Sequence, residues 1–119
     1  MSRKQDSLVR MTRELIECTE QLRAALLDYR RTCEKLVEIA ELPPVRSTVE
    51  RLERVKLGEK RERVTSAITA FEGARRKARI GLLAVAEEEG SNLSEVARTL
   101  GVSRQLASRL AMEASGHDR

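Results

Sequence analysis

At 100° per residue, Arg104, Gln105, Ser108 and Arg109 fall on one side of a helix, while Leu106, Ala107, Leu110 and Ala114 fall on the other. The first set consists of side chains that hydrogen-bond to base edges and phosphates: arginine suits guanine, glutamine suits adenine, and serine suits either. The second set is small and apolar, as a packed face requires. Ser103 stands directly before them, where its hydroxyl would cap the helix. The chemistry these residues offer is recognition of a polyanion rather than bond making.

A second group of the same kind lies upstream. The run ARRKAR at 74–79 supplies Arg75, Arg76, Lys77 and Arg79, four cations that can reach phosphates but not base edges. Glu87, Glu88 and Glu89 follow, and their charge would repel a phosphate backbone, so this acidic end is expected to point away from it. Charge is uneven along the chain. Residues 1–42 hold 8 basic and 8 acidic side chains, 43–77 hold 10 and 5, and 78–119 hold 5 and 6, so the net +4 comes from the middle. A basic middle suits a polyanion partner. It is also the pattern of a solvated helix face, and Glu50 with Arg54, Glu59 with Arg63 and Glu72 with Arg76 are spaced as i,i+4 pairs.

The remaining reactive side chains assemble nothing. Cys18 and Cys33 are too widely spaced for a CxxC motif, and the single histidine, His117, lies in a polar tail, so no metal set is expected. The thiols read as structural. With no nucleophile and base pair and no glycine-rich phosphate loop, no catalytic residue and no cofactor are expected, and the chain does not read as an enzyme. The start MSRKQDSL has no apolar core of a leader, and IGLLAVA at 80–86 is too short to span a bilayer, so a cytoplasmic protein with no membrane contact is expected.

The elements that must position these groups are helical. The chain of 119 residues is 35% charged and 2% aromatic, and its apolar residues are almost all Leu, Val, Ile and Ala, the usage of long helices. From Leu8, a heptad places Leu8, Leu15, Leu22, Tyr29 and Leu36 at one position and Met11, Cys18, Ala25 and Ile39 at the other, with Thr32 as the one polar member. Five heptads describe a helix of roughly 50 Å. Val9, Ile16, Leu26 and Val37 widen its stripe, so more than one neighbour is expected. Two prolines in ELPPV end it.

Ser47-Thr48-Val49-Glu50 then matches a capping box and predicts a second helix start. Gly58 is expected to interrupt that helix as a left-handed cap, a continuous helix being the alternative. Beyond it, Val64, Ile68, Phe71, Ala78, Leu82 and Val85 carry a second stripe up to Gly90. Two antiparallel helices with stripes this wide cannot cover both within one chain, so a homodimer held by the helices before residue 74 is expected.

Near the end, Asn92 to Glu95 predicts another cap, for a short helix running to Leu100. Gly101 supplies the positive φ of a tight turn, Val102 can staple onto Ala107, and Ser103 starts the next helix. The stretch LSEVARTLGVSRQ resembles the helix-turn-helix of bacterial transcription regulators, in a trihelical form similar to sigma-factor region 4. Ala97, Gly101, Val102, Ser103 and Leu110 stand where that motif places its small residue, turn glycine, buried aliphatic, helix cap and late core residue. Ala107 departs from it, since a larger branched residue is common there, and hints at a close helix crossing.

The resemblance covers residues 74–114. It implies double-stranded DNA as partner, contacts from Arg104, Gln105, Ser108 and Arg109, and a support helix over 78–89. The whole chain is thus expected to be all-α. It would have a dimerising helical hairpin over 1–73, a helix-turn-helix DNA-binding domain over 74–114 and a flexible tail over 115–119. The function implied is that of a dimeric transcription regulator on the nucleoid. Two alternatives stay open: an architectural protein that bridges DNA without sequence preference, and a helix-turn-helix used for protein docking.

Overall fold

The computed structural model describes residues 2–43 and 47–117. It is all-helical, 89% helix with no strand among the described residues. Five helices follow one another: α1 (Arg3–Glu41), α2 (Thr48–Val55), α3 (Leu57–Glu88), α4 (Leu93–Leu100) and α5 (Arg104–His117).

Each start and stop has a local cause. Helix α1 begins five residues before the first heptad leucine because Ser2 and Gln5 form a reciprocal cap. The Ser2 amide donates to Gln5 Oε1 at 2.8 Å, and the Gln5 amide donates to Ser2 Oγ at 3.2 Å. It ends at Glu41, ahead of Pro43; the second proline of the pair, Pro44, lies outside the described residues. Ser47 caps α2 as its sequence predicts, its hydroxyl accepting the Glu50 amide at 3.2 Å.

The break after α2 is not at Gly58. Lys56 takes the left-handed conformation, with φ 58° and ψ 42°, and Gly58 lies inside the first turn of α3. The Lys56 amide reaches the Glu53 carbonyl at 3.1 Å while its own carbonyl accepts from the Lys60 amide at 3.1 Å. One residue thus closes one helix and opens the next, which places the break two positions early and puts a side chain where glycine costs least.

The chain forms two compact units, Glu17–Glu72 and Met1–Ile16 with Gly73–Arg119. In the first, α1 runs antiparallel to α3. The Asp28 carboxylate holds Lys60 Nζ at 2.9 Å and Arg63 Nη1 at 3.2 Å, tying the two helices together. Ala25 and Thr32 are buried, and Cys18, Leu22, Tyr29, Leu36 and Ile39 are half-buried. Thr32 is at no loss there, because its hydroxyl donates to the Asp28 carbonyl at 3.1 Å within its own helix. Leu26 and Val37, by contrast, stay exposed.

In the second unit α1 again runs antiparallel to α3. A Cβ at Gly81 would lie 3.4 Å from both Leu8 Cδ1 and Met11 Sδ, and Glu14 meets Lys77 at 3.6 Å. This close approach explains why residues 2–16 group with the carboxy-terminal helices, whereas the sequence pattern assigns all of 1–73 to one hairpin. The core is built of small side chains, Ala74, Ala78, Ala97, Ala107 and Ala114, with Leu83 and Leu110 as its bulky members. Helix α5 continues through residues 115–117, part of the expected flexible tail; residues 118–119 lie outside the described residues.

All ten heptad positions of α1 are half-buried or buried within a single chain. Ile16, Leu26 and Val37 of the wider stripe stay exposed.

Candidate nucleic-acid interface

The surface begins with two stop signals. At the end of α3, Gly90 has φ 76°, and the amides of Gly90 and Ser91 reach back to the carbonyls of Glu87 (3.0 Å) and Ala86 (2.9 Å). At the end of α4 the pattern repeats: Gly101 has φ 71°, its amide reaches Arg98 O at 3.2 Å, and that of Val102 reaches Ala97 O at 3.0 Å. Crossed bonds of this kind satisfy the last carbonyls of a helix and turn the chain sharply. Between these stops α4 is started by Asn92, whose side chain accepts the Ser94 amide at 2.8 Å. Only three residues, 101–103, then join α4 to α5.

Ser103 caps α5, its hydroxyl oxygen accepting the Leu106 amide at 3.0 Å and its carbonyl the Ala107 amide at 3.0 Å. Its hydroxyl hydrogen can still be donated outward. The cap fixes the phase of the helix. Ala107, Leu110 and Ala114 are buried, with Ala107 at 0% exposure, and Leu106 is half-buried. Arg104, Gln105, Ser108 and Arg109 are all exposed on the opposite side, so the structure brings these four together on one face, with Ser103 exposed at the helix start. Ala107 is fully buried on the packed face of α5, in keeping with a small residue at that position.

The upstream cations do not form one stripe. At 100° per residue, Arg75, Arg76 and Arg79 share a side of α3, whereas Lys77 falls on another and is taken by Glu14 of α1. Arg75 and Arg79 are half-buried, and Arg76 is ion-paired with Glu113 of α5. Arg76 is linked to α5 by this pair, and its side chain is still 57% exposed.

One residue of this surface escapes the sequence reading. Met112 lies one turn beyond Ser108 on the outer side of α5 and is 73% exposed. It borders an open groove whose walls include Leu83, Leu93, Val96, Ala111 and Ser108. Spacing alone could have placed it there, since it follows Ser108 by four residues, but a methionine in a motif otherwise read for its polar groups carries no such signal.

Among the described residues no group of three or more His, Cys, Asp or Glu is placed to hold a metal ion, and no helix is long and apolar enough to cross a membrane. Compared with family models, with curated proteins and with solved structures, the chain matches none.

Proposed function

We propose that the chain is a double-stranded DNA-binding protein. In this reading the end of α3, α4 and α5 act as a trihelical helix-turn-helix, carried on the α1–α3 hairpin, with α5 entering the major groove. The observation that carries it is the sorting of α5. Four hydrogen-bonding side chains, Arg104, Gln105, Ser108 and Arg109, share the exposed face, Ser103 is exposed at the helix start, and the opposite face is sealed by Ala107, Leu110 and Ala114. Arg104 and Gln105 stand in the first turn, the part of such a helix that reaches base edges, while Arg76 and its neighbours on α3 suit phosphates. The activity this favours is site-specific transcription regulation on the bacterial nucleoid, with a second copy of the chain as protein partner.

Selecting bound fragments from the host genome supplies a preferred site, and Arg104→Ala is then compared on that site and on random duplex at fixed salt. A base-edge contact predicts a loss of about 1–3 kcal/mol on the preferred site and little on random DNA. Equal losses on both, or no preferred site at all, would leave an architectural protein in its place.

A further inference from the structure

The groove beside Met112 lies between the end of α3, α4 and α5 and has a volume of about 650 Å³. Leu83, 3% exposed, lies along it, with Leu93, Val96 and Ala111 beside it. Helix α5 therefore carries apolar side chains beyond its packed face: Ala107, Leu110 and Ala114 lie inward, Ala111 at the edge and Met112 outward. Nothing within this unit covers Met112, an unbranched and adaptable side chain suited to filling an irregular hollow.

The same patch carries opposite charges. Arg109 lies one turn before Met112 on α5, and Glu87 forms part of the groove wall. Both are exposed, and neither is ion-paired with any described residue. A projecting apolar side chain, a hollow of matching character, a cation beside the projection and an anion beside the hollow are thus all present on one surface. That combination is self-complementary. A two-fold axis would place Met112 of each copy in the groove of the other and Arg109 of each against Glu87 of the other, using one set of residues twice.

We infer that this groove receives α5 of a second copy of the chain, and that the paired form hides the surface proposed to contact DNA. The second half rests on the DNA-binding reading, because Ser108 lines the groove and Arg109, one turn before Met112, is among the proposed DNA contacts. Pairing and DNA binding then exclude each other: the dimer is the DNA-free form, and DNA draws it apart by mass action. This also places the second copy away from the α1 heptads.

The test uses the full chain under reducing conditions, followed by sedimentation across the micromolar range. Wild type should pass from monomer to dimer as concentration rises. Met112→Lys, a change at an exposed position that should leave the thermal midpoint unaltered at concentrations where the chain is monomeric, should weaken pairing by at least about tenfold. Glu87→Arg and Arg109→Glu should each weaken it, and the two changes together should restore it to within about threefold of wild type. A monomer at every concentration, a dimer that survives Met112→Lys, or a double variant as weak as the singles would overturn the groove as the pairing site.

Adding random duplex DNA to the wild-type dimer should yield DNA-bound monomers. A DNA-bound dimer that retains its dependence on Met112 overturns the exclusion. A chain that pairs as described but binds no duplex removes the DNA reading, and the exclusion with it, while leaving the pairing in place.

Discussion

The guanidinium of Arg76 on α3 is ion-paired with the carboxylate of Glu113 on α5, so one of the cations best placed to reach a phosphate is held by the helix proposed to enter the groove. The pair is more than a third exposed on both sides, 57% and 38%, and an exposed pair contributes only about 0–1 kcal/mol to stability. Its larger effect is on charge. Replacing Glu113 by Gln frees the cation at little structural cost. Random-duplex affinity should rise by several-fold at low salt, and the salt dependence should steepen by up to about one log unit, as expected when one more phosphate contact forms. Unchanged affinity and slope, measured by a salt titration, would mean that Arg76 does not approach the backbone.

Two left-handed residues give a paired prediction. Lys56, with φ 58°, holds a conformation that costs a side-chain-bearing residue about 1–2 kcal/mol, whereas Gly101, with φ 71°, holds a similar one without that penalty. Lys56→Gly should therefore leave stability unchanged or raise it by up to about 1 kcal/mol, after allowing for the greater freedom of glycine in the unfolded chain. Gly101→Ala should lower it by about 1 kcal/mol or more. Thermal melts should fall for Gly101→Ala and not for Lys56→Gly, and a fall in both would contradict the strain assigned to Lys56.

These two positions also mark what can be read from a sequence. Gly101 is legible because glycine, a following serine and flanking apolar residues agree on a turn. The left-handed residue at 56 is not, because nothing about lysine announces a positive φ and Gly58 stands close enough to draw the expectation. The sorting of α5 follows directly from its 3.6-residue period, as does the heptad of α1. What covers that heptad does not: Leu15 and Leu22 look the same whether α3 or a second copy lies against them. Grouping residues 2–16 with the carboxy-terminal helices depends on the contact of Leu8 and Met11 with Gly81, a long-range approach that local pattern cannot supply. Lys77 is a similar case, since only the fold brings Glu14 beside it.

Asp28 ties α1 to α3, and its carboxyl is held below the ordinary value of 3.8, chiefly by the hydrogen bond from Lys60 and further by the charges of Lys60 and Arg63, with desolvation opposing. A carboxylate whose pKa is lower in the folded state stabilises the fold above its unfolded pKa of about 3.9 and loses that contribution as pH falls through the folded value. Asp28→Asn should therefore melt earlier than wild type at neutral pH, and the two melting curves should converge as pH falls from the unfolded pKa through the lower folded one. A difference that persists undiminished at pH 2 would assign the effect of the substitution to shape rather than charge.

Ala107 has no exposed surface and lies where α5 crosses α4. The helix-turn-helix pattern that this stretch resembles often carries a branched residue at that position, so Ala107→Ile looks conservative by sequence. Packing predicts otherwise. Three added carbons have no space beside the Ala97 and Leu110 core, and overfilling a closed core costs about 1–3 kcal/mol. Relief is available only by moving α5 away from α4, and that would shift the whole exposed face, Arg104 and Gln105 included, relative to α3 and α4. Ala107→Ile should therefore lower the melting temperature and, even well below it, weaken binding to the preferred DNA site more than to random duplex. Ala107→Ser, which adds one small atom, should do much less of both. If isoleucine is accepted with stability and binding intact, α4 and α5 cross with more room than the buried surface of Ala107 indicates.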